Sequence, residues 1–175
     1  MAYEALLNSL GDYAKDIRLN VKSVLDVSKQ NYLTANQIAA IALACAYATK
    51  NIKVIQAIDD YAKDTISTNE VQAAKAAAAI MGMNNIYYRF IHLVSKQDYK
   101  TMPAGLRMNI LANPGVAKED FELYSLAVSA INGCGLCIDS HVQVLEKANI
   151  DSYAIQHAIK IAAVIHALAQ SVITD

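Results

Sequence analysis

The chain is all-α by its sequence. Apolar residues recur at three- and four-residue steps through most of its length, and no run shows the sustained alternation of a strand. Both prolines, Pro103 and Pro114, fall in one short connector, leaving long stretches free of helix breakers. A chain of 175 residues suits one domain over 1–175 with one large core. Its approximate halves, 1–97 and 117–175, are joined by a loop-rich connector at 98–116.

Residues 3–29 place Leu6, Leu10, Ile17, Val21, Val24 and Leu25 at helical spacing, interrupted softly at Gly11, so they predict one long helix or two in line. Thr34 is a good N-cap for an apolar helix to about Thr49, and Asn51 opens another to about Lys63. Ser67 or Thr68, with Glu70 behind, forms a capping-box pattern before an Ala-rich helix over 71–83. Asn84-Asn85 reads as punctuation, with a further short helix at 86–96. The connector holds Gly105 and Gly115 beside the prolines, with room for a short helix near 106–111. Three helices follow, over 117–131, 134–148 and 151–174, the last capped by Asp151.

A faint duplication underlies this order. Residues 43–51 can be laid on 126–134 at an offset of 83, and 66–72 on 150–156 with one residue added. Both copies read helix, tight turn, helix, turn, Ala-rich helix. In this register Asn51 falls opposite Cys134, Val54 opposite Cys137 and Ile58 opposite His141, so only the second copy carries reactive side chains.

Composition narrows the function. Hydrophobic residues make up 55% and charged residues only 18%, which points to apolar surface buried between subunits. A net charge of −1 gives no electrostatic footprint for nucleic acid or anionic lipid, and the tyrosines build no stacking platform. No uncharged run is long and apolar enough to span a bilayer, and Met1 is followed by no basic region and apolar signal core. The expectation is a cytoplasmic protein. In a reducing compartment, three cysteines argue for a catalytic or metal-binding pair rather than a structural framework. Cys45, within Ile-Ala-Leu-Ala-Cys-Ala-Tyr, reads as a small core residue.

The chemistry gathers in Asn132-Gly-Cys-Gly-Leu-Cys-Ile-Asp-Ser-His141. A Gly-rich turn ahead of an amphipathic run sets Cys134 and Cys137 at a helix N-terminus, where free N–H groups and the helix dipole favour a thiolate. Positions 134, 137 and 141 share one helix face. Glu122 stands in an otherwise apolar stretch, Phe121-Glu-Leu-Tyr-Ser-Leu, where a carboxylate is out of character. Two thiols within one turn can close a disulfide reversibly, with one attacking a peroxide oxygen or a disulfide sulfur and the other resolving the adduct. His141 and Glu122 supply a route for the protons that each cycle consumes and releases. First-turn placement favours Cys134 as the attacking sulfur. A zinc half-site is the competing reading of Cys-x-x-Cys, but no second Cys or His pair completes it. His157 and His166 read as structural histidines of the last helix.

At these residues the chain resembles the AhpD-like alkyl hydroperoxidases of the carboxymuconolactone decarboxylase superfamily. The likeness rests on Glu122, Cys134-Gly-Leu-Cys137 and Ser140-His141, together with the length, the helical pattern and the duplicated halves. The resemblance implies an AhpD-like helical domain with two internally similar halves, assembled as a homotrimer, with no tightly bound cofactor. It implies an antioxidant alkyl hydroperoxide reductase. Its dithiol would be reduced by a dihydrolipoamide-bearing protein and would regenerate a partner peroxiredoxin, with weak direct peroxidase activity. It also assigns Cys137 as the sulfur that becomes a sulfenic acid, Cys134 as proton donor and resolving thiol, and Glu122 and His141 as the relay. This disagrees with the first-turn argument, which favours Cys134. Better-known members carry a histidine just before the second cysteine, where this chain has Leu136. The alternative activity is a carboxymuconolactone decarboxylase-like reaction without redox cycling. A non-catalytic helical module with incidental cysteines is the third reading.

Overall fold

The computed structural model describes residues 2–174; Met1, which anchored the reading on secretion, and Asp175 lie outside them. The described residues form helices α1 (Ala2–Ser9), α2 (Lys15–Val24), α3 (Ala35–Thr49), α4 (Ile52–Ala62), α5 (Thr68–Leu93), α6 (Asp98–Thr101), α7 (Lys118–Asn132), α8 (Gly135–Lys147) and α9 (Ser152–Thr174), with no strand among them.

Local signals explain most helix starts. Thr34 and Gln37 close a reciprocal capping box on α3, and Ser67 with Glu70 does the same on α5. Asn51 accepts from the backbone N–H groups of Lys53 and Val54, and Asp151 from that of Tyr153. Each bond satisfies a donor that the first turn leaves without a partner.

Two helices form the centre. In α3 every residue from Ile38 to Ala46 is buried, and in α7 every residue from Phe121 to Ser129 except Glu122. Burying each large aliphatic side chain in such a stretch contributes about 1.5–3 kcal/mol. Both α5 and α9 pack against both central helices, so the core runs from Leu7 to Val172. The duplication is visible in the bounds. Ala35 and Lys118, Thr49 and Asn132, and the left-handed Lys50 and Gly133 all stand 83 residues apart. Gln37 Nε2 donates to Asp120 Oδ1 at 2.8 Å, a contact between two residues of that same separation. Such a contact lies where the two copies meet, close to the axis relating them.

The copies differ in what covers them. Helix α1 packs on α4 and α2 on α9, sealing the first copy's hairpin and the second copy's long helix. The corresponding faces of α8 and α5 meet the connector instead, and there a pocket remains.

Of the two readings of residues 3–29 the structure takes two helices rather than one, and two other expectations need correction. The chain breaks at Gly11, which is extended (φ −63°, ψ 170°), because α1 and α2 serve different neighbours. Asn84-Asn85 does not end a helix, since α5 passes through both. An asparagine usually competes for its local backbone, but here the Asn85 side chain is engaged by Ser129 and Asn132, which leaves the helical ladder undisturbed. In the connector the short helix lies at Asp98–Thr101, and residues 109–111 form only a single 3₁₀ turn.

Candidate redox site

Helices α7 and α8 form a hairpin whose joint is Gly133 and Cys134 alone. Gly133 adopts a left-handed conformation (φ 68°), its N–H reaching the Ala130 carbonyl and the Cys134 N–H reaching that of Ser129. This is the 6→1 and 5→2 pattern of a Schellman ending, which glycine makes without a Cβ penalty. The same Cys134 is the N-cap of α8, and its sulfur accepts from the Cys137 N–H at 3.3 Å. One residue therefore closes one helix and opens the next.

Cys134 and Cys137 are joined by a disulfide, with their Cα atoms 5.3 Å apart. Their exposures differ in kind. Cys134 is 0% exposed, whereas Cys137 is 7% exposed and lines the pocket. Burial overrides first-turn placement here: the helix dipole acts on both sulfurs, but only Cys137 meets open space.

The hairpin brings Glu122 of α7 against His141 of α8, with Glu122 Oε2 2.6 Å from His141 Nδ1. Their side chains are only 15% and 12% exposed, so the contact is largely shielded from solvent. A carboxylate can only accept, so Nδ1 carries the proton and Nε2 is left free in the neutral ring. Nε2 points to Met81 Sδ at 3.4 Å, a weak partner, on the wall of the same pocket. The four residues selected from the sequence thus form one cluster.

That pocket has a volume of about 400 Å³. Helix α5 supplies Met81, Asn84 and Tyr88, the connector Met108 and Leu111, and α8 Leu136, Cys137, Ser140 and His141. The lining is mostly apolar with a few convergent polar groups, as small-molecule sites are built. Leu136, 38% exposed, forms part of the rim. A larger groove of about 620 Å³ crosses α3 and α5 and touches none of the four residues; chemistry, not size, decides between them.

Sequence reasoning missed the support behind the cluster. Asn85 Nδ2 donates to Ser129 Oγ at 2.8 Å and Asn132 Nδ2 donates to Asn85 Oδ1 at 2.9 Å, while Arg89 donates to the Asn132 carbonyl. This chain ties α5 to the joint that carries Cys134. Two adjacent asparagines directly after an Ala-rich run were the available signal.

The remaining candidates stand apart. Cys45 is fully buried in α3, and burial pushes its thiol well above the ordinary range. His157 is buried and bonds the Val24 carbonyl at the end of α2, while His166 lies on the exposed face of α9 and not in the core. Among the described residues, no group of three or more His, Cys, Asp and Glu is arranged to hold a metal ion. No helix among them is long and apolar enough to cross a membrane.

Residues 97–172 match the carboxymuconolactone decarboxylase family. Alkyl hydroperoxide reductase AhpD of Coxiella burnetii is 56% identical over 163 residues, covering 93% of this chain and 92% of the relative. The proteins of that name from Brucella canis and Brucella melitensis are 51% identical over 169 residues, covering 97% of this chain and 95% of each relative.

Proposed function

This chain belongs to the AhpD alkyl hydroperoxide reductases, and from that premise we propose that Cys134 and Cys137 are its redox pair and His141 and Glu122 its proton relay. One observation carries the reading: a disulfide at a helix N-terminus presents one sulfur to an apolar pocket whose wall also holds a carboxylate-bound histidine.

The cycle begins from the dithiol. Cys137 is the attacking sulfur, since it reaches the pocket and Cys134 does not. Its thiolate attacks the terminal oxygen of an alkyl hydroperoxide; an S–O bond forms, the O–O bond breaks, and the alkoxide leaves. His141 Nε2 takes the Cys137 thiol proton as the thiolate forms and passes it to the alkoxide, with Glu122 stabilising the intervening imidazolium on the other side of the ring. The Cys134 thiol then attacks the sulfenic sulfur, forming the disulfide and releasing water. Two electrons have moved from sulfur to peroxide. A dithiol donor restores the pair by exchange through a mixed disulfide at the accessible Cys137.

The wider setting follows the family. The donor is a dihydrolipoamide-bearing protein, the electrons also serve a partner peroxiredoxin, and the enzyme works in the cytoplasm without a tightly bound cofactor. One domain carries the chemistry, supported by a core shared between both halves. The homotrimer is supported by Ile86, Phe90 and Leu93, exposed apolar residues along one side of α5.

A thiol count tests the cycle. The reduced native protein should show two reactive thiols, Cys45 staying silent, and one equivalent of cumene hydroperoxide should remove both. Dihydrolipoamide should then restore them. Two thiols persisting after peroxide would sink the redox reading and favour a decarboxylase-like reaction without redox cycling.

A further inference from the structure

We infer that Asn84 binds the hydroperoxide, its side-chain amide holding the O–O–H group against Cys137. The proposal rests on the peroxidase reading above and adds a substrate-binding residue to it. Asn84 is almost wholly buried, yet it lines the pocket that holds Cys137, Ser140 and His141. Its Oδ1 has no hydrogen-bond partner among the described residues. A buried polar atom left unpaired carries a desolvation cost, and use by a ligand is one reason to keep it; Tyr124 Oη and Ser125 Oγ are unpaired too, but only Asn84 lines the pocket.

The duplicated half supplies an internal comparison. Helices α5 and α9 begin 84 residues apart, so Met81, Asn84, Asn85 and Tyr88 correspond to Ile165, Leu168, Ala169 and Val172. All four on α9 are buried and apolar, covered by helix α2 or the core. The packing role of this helix face is thus met without a polar group. Asn85 has an evident structural use, through Ser129 and Asn132. Asn84 has none, and it stands only in the copy that carries the disulfide.

The chemistry of a carboxamide suits the substrate. A hydroperoxide offers one O–H donor and two oxygen acceptors, while Asn offers one acceptor and two donors. The amide torsion is roughly two-fold, so a half-turn brings the enclosed Oδ1 to the pocket; with the O–H bonded to it, the terminal oxygen is held for attack by Cys137. An amide N–H on the second oxygen stabilises charge as the O–O bond breaks. The organic part of the peroxide then lies along Met81, Tyr88, Met108 and Leu136, which are the apolar walls.

The test replaces Asn84 by the residue of its counterpart, Asn84→Leu, with Asn84→Ala as a variant of no added bulk. Stopped-flow oxidation of the reduced proteins by cumene hydroperoxide should slow by about tenfold or more, the effect of losing one or two hydrogen bonds to the reacting group. Modification of Cys137 by methyl methanethiosulfonate, which has no O–O–H group, should proceed at the wild-type rate. The melting temperature of Asn84→Leu should not fall, because the change removes an unpaired buried polar group. Peroxide oxidation of both variants at the wild-type rate overturns the proposal. So does a loss confined to re-reduction by dihydrolipoamide, which would assign the amide to the dithiol donor instead. If the wild-type thiols themselves ignore the peroxide, it is the peroxidase reading that fails, and this proposal with it.

Discussion

Glu122→Gln isolates the charge in the relay, since it preserves shape and removes only the negative charge. The wild-type contact to His141 Nδ1 is short, 2.6 Å, and both side chains are mostly covered. A hydrogen bond to a charged group contributes about 1.5–3 kcal/mol and a neutral one about 0.5–1.5 kcal/mol, so the variant gives up about 1–1.5 kcal/mol of imidazolium stabilisation. That difference corresponds to roughly tenfold in rate wherever proton transfer through the ring limits the step. A second effect works in the same direction. The new amide can donate to Nδ1 and hold the proton on Nε2, the tautomer that cannot accept from the dithiol pair. Single-turnover oxidation of the reduced protein by a hydroperoxide, followed by free-thiol titration, should therefore slow by at least about tenfold. Glu122→Asp, which keeps the charge but draws it back by one methylene, should fall between the two. A Glu122→Gln rate within about twofold of wild type would show that this ion pair is structural and the relay runs elsewhere.

Two further perturbations probe the hairpin joint. In Cys134→Ser, one equivalent of peroxide should leave a sulfenic acid on Cys137 that dimedone traps and mass spectrometry locates, whereas Cys137→Ser should give no such adduct. Dimedone on Cys134 in the second variant at the wild-type rate would restore the first-turn assignment. Gly133→Ala puts a Cβ on a left-handed residue with nothing within 4 Å of it, so its cost is conformational alone. That is about 1–2 kcal/mol and a fall in Tm of roughly 2–8 °C; an unchanged Tm would mean the turn is not held in this conformation.

The chain's own chemistry determined a good deal. Helical periodicity, the capping residues Thr34, Asn51 and Ser67, and the turn at Gly133 are local features, and local features are legible because neighbours in sequence set them. The pairing of Cys134 with Cys137 is local in the same sense, as both fall within one turn. Glu122 stood out because a charge in a buried helix needs a partner, and the partner is His141. What only the packing decided is long-range. Asn84-Asn85 looks like a breaker until Ser129 and Asn132 occupy one of its side chains and the pocket receives the other. Gly11 is marked in the sequence as an interruption, but that two helices result rather than one follows from α1 and α2 having different neighbours. The choice between two sulfurs is of this kind too. Dipole and spacing act on both, but which of them meets open space depends on α5 and the connector, elements distant in sequence, and no local rule contains that information.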